Sequence, residues 1–260
     1  MATEKEAMGS PAGIALIPWD PASPGHADRM KIQRHACGWD ADKVPYWQKK
    51  VAAGDKLLFW IVLERGDMED ALLLAGRAAG AAEGEPLRDT AAQVGRTTRT
   101  ATGEAFIPIG HIALDEYPKR NVLFGLPMAT LWIKSLYIST AIQSSGLGRK
   151  AMAQVETMAA GAPFRSAALA LDTTHPEWHR REGSRRLYGT DEPPAGAPPI
   201  HTNHAWYARQ DYLDMALPEA EKEEACARAE GRESLGYYKN TDPETGLDER
   251  IPTTYLYKMI

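Results

Sequence analysis

The chain has 260 residues, of which 43% are hydrophobic and 25% are charged, and this composition is typical of a folded domain with a sizeable core. Its formal net charge of −5 argues against a general electrostatic grip on nucleic acid or on an anionic membrane surface. The two cysteines, Cys37 and Cys226, lie far apart without a metal-type spacing, which favours a reducing compartment over a disulfide scaffold. The chain shows no secretory signal and no apolar run near the roughly 20 residues of a membrane span, so we expect a cytoplasmic protein.

Strands and helices alternate in the first half of the chain. The predicted elements are, in chain order, a strand at 14–20, helices at 25–39 and 42–54, and a strand at 56–64. In the second helix Val44, Trp47 and Val51 share one face. The stretch 65–104 is rich in Ala, Gly and Thr and has little periodicity, so we expect a long insertion there.

The second half continues the alternation. It predicts strands at 105–115, 129–139 and 166–174, helices from Gly146, at 203–213 and at 219–233, and two final strands in "GYYKN" and "TTYLYKM". The helix after Gly146 carries an apolar stripe formed by Leu147, Ala151, Val155, Met158 and Ala159. A second, proline-rich insertion is expected at 176–200. The whole pattern predicts one mixed α/β domain over 1–260.

The stretch "AIQSSGLGRKAMAQVE" (141–156) places two glycines one residue apart between a strand pattern and a helix pattern. The first N–H groups of a helix have no intrahelical acceptor and lie at the positive end of its dipole, where a phosphate binds well. Glycine lacks a Cβ and tolerates positive φ, so it lets such a group approach the backbone. Ser144 and Ser145 add hydroxyl donors, and Arg149 and Lys150 add positive charge.

Two common phosphate-binding loops fit this stretch poorly. The dinucleotide fingerprint needs a third glycine where Ala151 stands, and the Walker pattern needs four residues between its glycines, where this chain has one. An ordinary strand-to-helix turn therefore stays open as the alternative.

The order strand–QSSGLG–helix–strand resembles the acetyl-CoA motif Q/R-x-x-G-x-G/A of the GNAT superfamily of N-acetyltransferases, which residues 143–148 match at every specified position. The preceding "IGHIAL" (109–114) resembles the family's "IGxIxL" strand. The later "WYARQDY" (206–212) resembles its Y-x-[KR]-x-G-[FY] helix, with Asp211 in place of the glycine.

The resemblance implies a GNAT-like mixed central β-sheet flanked by helices, with acetyl-CoA as co-substrate and no metal. It implies transfer of an acetyl or short acyl group to a primary amine, by direct attack in a ternary complex. The acceptor would be a small molecule or a peptide, and a homodimer is possible in such a family. The residues implied to hold coenzyme A are Ile138, Ser139, Gln143, Ser144, Ser145, Gly146, Leu147, Gly148, Arg149 and Asn203.

For catalysis the resemblance implies Tyr207 as the general acid that protonates the leaving thiolate, with Tyr188 as the second choice. The base is open between Asp172, His175 and His111, and each also has a purely structural interpretation. Two other functions stay open as well. One is a catalytically silent GNAT-fold module that binds coenzyme A or a protein, and the other is a different phosphate-binding α/β protein.

Overall fold

The computed structural model of the chain describes residues 13–64, 84–143, 145–178, 202–241, 246 and 248–260. The predictions made for Ser144 and Tyr188, and for the parts of the two insertions at 65–83 and 179–200, lie outside the described residues. No helix in the described ranges is long and apolar enough to cross a membrane.

The strands are β1 (Ile14–Pro18), β2 (Lys56–Leu63), β3 (Leu87–Arg88), β4 (Gln93–Val94), β5 (Thr97–Thr98), β6 (Ala105–Phe106), β7 (Gly110–Glu116), β8 (Leu131–Ile138), β9 (Ala168–Thr174), β10 (Leu213–Met215), β11 (Tyr237–Thr241) and β12 (Asp248–Met259). The helices are α1 (Pro24–Cys37), α2 (Val44–Ala52), α3 (Pro118–Leu123), α4 (Leu147–Ala160), α5 (Asn203–Ala208) and α6 (Ala220–Ala229). The predicted fold class is confirmed, because the central sheet is mixed, mostly antiparallel and flanked by helices.

The chain forms two compact units, Met1–Ala113 with Ser135–Val155, and Leu114–Lys134 with Glu156–Ile260. We call them unit 1 and unit 2 and describe each by itself. The prediction of a single domain over the whole chain stays a prediction.

Unit 1 contains β1, β2, the part of β7 up to Ala113 and the part of β8 from Ser135, in the sheet order β1–β2–β7–β8. β1 and β2 pair antiparallel from Ile14↔Leu63 to Pro18↔Phe59. Helices α1 and α2 contribute to its core, a cluster of buried residues that includes Trp19, Met30, Val44, Trp47, Val51, Leu58 and Trp60. The predicted apolar face of α2 is thus the face that packs into the core.

Helix α1 begins where Ser23 caps it, since the Ser23 hydroxyl accepts the His26 N–H, and it ends at Gly38, whose φ is 80°. Its buried face includes polar side chains, among them Gln33 and Arg34. Both bond to His111 of β7: Gln33 Oε1 lies 2.8 Å from His111 Nδ1, and Arg34 Nη1 lies 3.4 Å from His111 Nε2.

The described part of the first insertion, 84–104, contains short strands. Short antiparallel ladders join β3 to β6 and β4 to β5. Asp89 anchors the segment: its carboxylate accepts two hydrogen bonds from Arg99, at 2.6 and 2.7 Å, and two from Thr102, at 2.9 and 3.1 Å. The Arg99 bonds, with help from Thr102, hold the pKa of Asp89 at about 2.

Unit 2 contains β9, β12 and β10 side by side, with β11 also paired to β12. β12 is antiparallel to all three, and β8 pairs parallel with β9. Its core cluster includes Trp132, Ala170, Ala227, Leu235 and Tyr255. β10 and the first part of β12 are strands that the sequence pattern did not predict.

Candidate active site

The predicted phosphate turn joins β8 to α4. After β8 the chain makes a 3-10 turn over Thr140–Ile142, and the carboxamide of Gln143 donates to the Ile138 carbonyl at 3.0 Å. The Ser145 hydroxyl donates to the Ile142 carbonyl. The side chains of Gln143 and Ser145 therefore brace the backbone that leads into the helix.

Gly146 immediately precedes helix α4 and has a φ of 83°, in the left-handed region that favours glycine. A Cβ at this position would have no atom within 4 Å, so the space beside its backbone is open. The next residue, Leu147, is buried and anchors the helix start, whereas Arg149 is exposed. The requirement for glycine here is one of backbone conformation, as the sequence analysis expected.

The start of α4 fits an anionic group. The Lys150 N–H donates to the Gly146 carbonyl at 3.2 Å and forms the first bond of the helix. The N–H groups of Leu147, Gly148 and Arg149 precede that bond, at the positive end of a helix of 14 residues. The open space beside Gly146 lies next to these N–H groups, which are donors of the kind that bind a phosphate. This donor set could hold a diphosphate.

The strand before the turn departs from regular geometry at Ser135, whose φ is 53°. The parallel ladder to β9 consists of three pairs, from Leu131↔Leu169 to Ile133↔Leu171, and β8 then continues to Ile138. A positive φ inside a strand is typical of a bulge, where pairing is interrupted. The Ser139 N–H donates to the Ile109 carbonyl at 2.9 Å, so this group already has a partner.

Gly110 of the "IGHIAL" strand also has a physical reason to be glycine. A Cβ there would lie 2.1 Å from the Tyr137 carbonyl oxygen, far inside contact distance. The glycine therefore allows the close approach of β7 to the end of β8 within unit 1.

The predicted general acid, Tyr207, lies in the last turn of α5 and is half buried. Its ring packs edge-on against Trp206, with ring centroids 4.9 Å apart, and against Tyr212, at 6.0 Å. Asn203 is the first residue of the same helix and is exposed, following Thr202, whose hydroxyl accepts the Ala205 N–H at 3.1 Å. These contacts fix the tyrosine through its helix and its aromatic neighbours.

Asp211 stands where the GNAT motif has glycine. Its backbone conformation explains why a residue of this type is needed here. Its φ is 67°, so the backbone adopts the left-handed conformation that ends the helix. The Gln210 N–H bonds to the Tyr207 carbonyl at 2.8 Å, and the Tyr212 N–H bonds to the same carbonyl at 3.4 Å. Asp is among the few other residues that tolerate this conformation, so the departure preserves the turn.

Asp172, the predicted base, lies on β9 in unit 2 with its side chain buried. Its carboxylate pairs with three cations, Lys134, Arg120 at 3.4 Å and Arg232 at 3.5 Å. Burial alone would raise the pKa of Asp172, but these three charges outweigh it and hold the pKa well below its usual range. A carboxylate so paired is a weak proton acceptor, and its role as a base stays a prediction.

Arg120 is the most enclosed cation of this cluster. Its guanidinium also bonds to both carboxylate oxygens of Glu230, through Nε and Nη2. It lies over the rings of Tyr117, at 4.3 Å from the centroid, and Trp132, at 4.5 Å. Ion pairs and ring faces together replace the water that a buried guanidinium would lose.

Lys134 follows the last pair of the β8–β9 ladder, next to Asp172. Burial, opposed by Asp172 and aided by the charges of Arg120 and Arg232, lowers the pKa of Lys134 to about 8. Within the described residues, the Lys134 ammonium has Asp172 as its single hydrogen-bond partner.

The two histidine alternatives for the base differ in exposure. His111 is fully buried, and burial, with the charges of Arg34 and Lys56, lowers its pKa well below the usual value. Its ring nitrogens face Gln33 and Arg34, as a structural histidine's would. His175 is partly exposed, and its Nδ1 accepts the Glu177 N–H at 3.3 Å.

The sequence analysis did not identify the partners of Asp172, which are Arg120, Lys134 and Arg232, nor Glu230, which binds Arg120. Arg120 lies 52 residues from Asp172, and Arg232 lies 60 residues from it, so no local pattern joins them. The available signal was Lys134 itself, a charged residue inside the apolar strand "LWIKSLYI".

No protein-family model matches the chain, and no curated protein matches it. Among solved structures it is similar to an acetyltransferase from Streptococcus agalactiae, with 10% identity, 95% of this chain and 99% of the other covered, and a TM-score of 0.44. It is similar to NAA60 of Arabidopsis thaliana in complex with a bisubstrate analogue, with 12% identity, 95% and 99% covered, and a TM-score of 0.45. It is also similar to a GNAT family acetyltransferase from Elizabethkingia anophelis with acetyl-CoA bound, with 10% identity, 95% of this chain and 99% of the other covered, and a TM-score of 0.42. At these values the neighbours assign no function to this chain.

Proposed function

We propose that the chain is a GNAT-like N-acetyltransferase, one domain over 1–260, which moves an acetyl or short acyl group from coenzyme A to a primary amine. The observation that carries the proposal is the start of α4, where Gly146 has a φ of 83° and open space beside it. Gly125 has the same two features in a loop that leads into no helix, so what distinguishes Gly146 is that it directly precedes α4, whose first N–H groups have no intrahelical acceptor.

In this proposal the N–H groups of Leu147, Gly148 and Arg149 hold the diphosphate, and the pantetheine chain runs beside Ile138 and Ser139. The co-substrate supplies an activated thioester. The amine nitrogen forms the new bond to the acyl carbon as the carbon–sulfur bond breaks. Tyr207 donates its proton to the leaving sulfur, and the amine loses its own proton to a base, for which Asp172 and His175 are the candidates. Asn203 would contact the co-substrate from the start of α5.

Calorimetric titration with acetyl-CoA tests the binding site. We expect micromolar binding that Gly146→Trp abolishes, because a large side chain would occupy the diphosphate position. Gly125 is the matched control, since it has a φ of 66° and equally open space but lies in another loop. Gly125→Trp should bind acetyl-CoA like the native chain. Equal loss in both variants, or no binding by the native chain, would overturn the proposal.

The catalytically silent alternative is favoured by one observation, the engagement of Asp172 by three cations. Tyr207→Phe separates it from the enzyme. If Tyr207 is the general acid, thiol release with an amine acceptor falls by about 10²- to 10⁴-fold while acetyl-CoA still binds. If the native chain binds acetyl-CoA but releases no thiol with any amine, the silent module is correct.

A further inference from the structure

The cluster of ion pairs around Asp172 contains more cations than carboxylates. Four ion pairs join three cations, Arg120, Lys134 and Arg232, to two carboxylates, Asp172 and Glu230. One positive charge is in surplus among them. An uncompensated charge in a partly buried place is costly, and proteins normally avoid it unless another group supplies the balance.

The two cations that share Asp172 with Arg120 are the more solvent-accessible members of the cluster. The side chains of Asp172 and Arg120 are 1% exposed, whereas Lys134 retains 17% and Arg232 retains 22%. Glu230 binds Arg120 through two bonds, so Arg120 is balanced by its own partner. The single charge of Asp172 is then shared by the two more accessible cations.

Lys134 and Arg232 also have hydrogen-bonding capacity to spare. An ammonium can donate three hydrogen bonds, and in the described part of the chain Lys134 donates one, to Asp172. The Arg232 guanidinium makes long bonds, at 3.5 Å to Asp172 and 3.2 Å to the Tyr237 carbonyl. Burial is the main cause of the low pKa of Lys134, and the charges of Arg120 and Arg232 lower it further.

The cluster lies at the end of the parallel ladder between β8 and β9. Lys134 and Asp172 are the residues directly after Ile133 and Leu171, the last pair of the parallel ladder. This inference rests on the proposed function, because it takes the acceptor of the acyl group as the molecule that the cluster binds.

We propose that Lys134 and Arg232 bind a carboxylate of the acceptor, so that the substrate is an amine bearing a carboxylate, of the amino-acid type. A carboxylate carries the one negative charge that balances the surplus, and it accepts hydrogen bonds from both side chains. A phosphate monoester carries close to two charges and matches the count less well. The cations also disfavour a protonated amine beside them, which helps to deliver the neutral nucleophile that attack requires.

The first test compares acceptors that differ only in the carboxylate. Thiol release from acetyl-CoA is measured with amino acids and with the carboxylate-free amines made by removing their carboxyl group, such as leucine and isoamylamine, or tyrosine and tyramine. We expect kcat/KM at least about tenfold higher for the amino acid in the best-used pair. Equal or better use of the amine would overturn the inference.

The second test uses Arg232→Gln with Arg228→Gln as the matched control. Arg228 is an exposed arginine four residues earlier, at the end of α6. Arg232→Gln should raise KM for the amino acid about tenfold or more and leave KM for its amine unchanged, while Arg228→Gln changes neither. A purely structural role for Arg232 would lower the thermal midpoint and affect both acceptors alike.

A third measurement separates this inference from the proposed function. The thermal midpoint of the chain is recorded with N-acetylated amino acids, which have a carboxylate but no free amine, and with inorganic phosphate. Stabilisation by the N-acetylated acids that Arg232→Gln removes supports the carboxylate site even if acetyl-CoA fails to bind. Binding of acetyl-CoA without any such stabilisation would contradict the site while leaving the acetyltransferase intact. Stabilisation by phosphate alone would contradict the choice of a carboxylate.

Discussion

Two buried aspartates, one in each unit, show how differently the same side chain is used. Asp89 in unit 1 pairs with one arginine and two groups of Thr102, so its charge is matched by one cation. Asp172 in unit 2 faces three cations. A balanced pair serves to fasten a segment of chain, whereas an unbalanced cluster keeps charge available for another molecule. Asp89 is therefore an anchor with a balanced charge, whereas the excess of cations around Asp172 is what the proposed carboxylate site requires.

The largest loss of stability is expected for Asp172→Asn. It leaves Lys134 and Arg232 without a carboxylate, and we expect the free energy of unfolding to fall by about 3–5 kcal/mol. Urea denaturation followed by circular dichroism at pH 7 measures it. Adding Lys134→Met to Asp172→Asn should restore part of the loss, because one of the unpaired charges is then gone. If the effects of the two changes simply add, the charges of Asp172 and Lys134 are not coupled.

Asp89→Asn should have a smaller effect, a loss of about 2–3 kcal/mol, because the single cation Arg99 keeps some access to water. Its pKa of about 2 gives a second check. A carboxyl whose folded pKa is lowered contributes stability above its unfolded pKa and loses it as the pH falls. The native chain should therefore approach the Asp89→Asn variant in stability between about pH 4 and pH 2. A difference that stays constant over that interval would contradict the assignment.

Lys134→Met tests whether the pKa of Lys134 is lowered in the folded chain, through stability at alkaline pH. With a folded pKa of about 8 and an unfolded pKa of 10.5, Lys134 loses its proton in the folded state first. The unfolded state then binds more protons, so the stability of the native chain rises with pH between about 8 and 10.5. Relative to Lys134→Met, we expect a rise of about 1–3 kcal/mol in the free energy of unfolding. Parallel curves for the two proteins would show that the lysine is not perturbed.

The smallest effect is expected at a third aspartate that belongs to neither class. Asp211 is exposed, and its backbone has a φ of 67°. Asp211→Gly should stabilise the chain by about 0.5–1 kcal/mol, because glycine adopts this conformation at lower cost. Thermal unfolding of the variant beside the native chain measures it. A loss of stability would mean that the Asp211 carboxylate matters more than its backbone.

The sequence predicted the elements whose side chains follow a simple period. The strands β1, β2 and β9 and the helices α2 and α4 lie where the pattern placed them, because an apolar face must be buried whatever its partner is. Gly146 was identifiable for a similar reason, since glycine between a strand and a helix marks a backbone constraint. The position of Asp211 was recognised only through the resemblance, and its conformation explains it.

The missed features depend on partners that are distant in the sequence. The buried face of α1 is partly polar because Gln33 and Arg34 meet His111, some 78 and 77 positions away. β10 is three residues long, too short for a period to show. The cations around Asp172 come from β8, α3 and the segment after α6, and only the folded chain brings them to one carboxylate. Local patterns report burial, whereas charge balance is a property of the fold.

The contact of Arg120 with Trp132 gives the cluster an optical signal of its own. Trp132 is one of seven tryptophans, is fully buried, and has the Arg120 guanidinium 4.5 Å from its ring. Its indole N–H is fixed by Asn121 at 2.7 Å, so its position against the cation is set from both sides. A charge arriving at Lys134 and Arg232 changes the electric field across this indole and hence its emission. The difference between the native chain and Trp132→Phe therefore isolates a spectrum that follows the cluster directly, without labels.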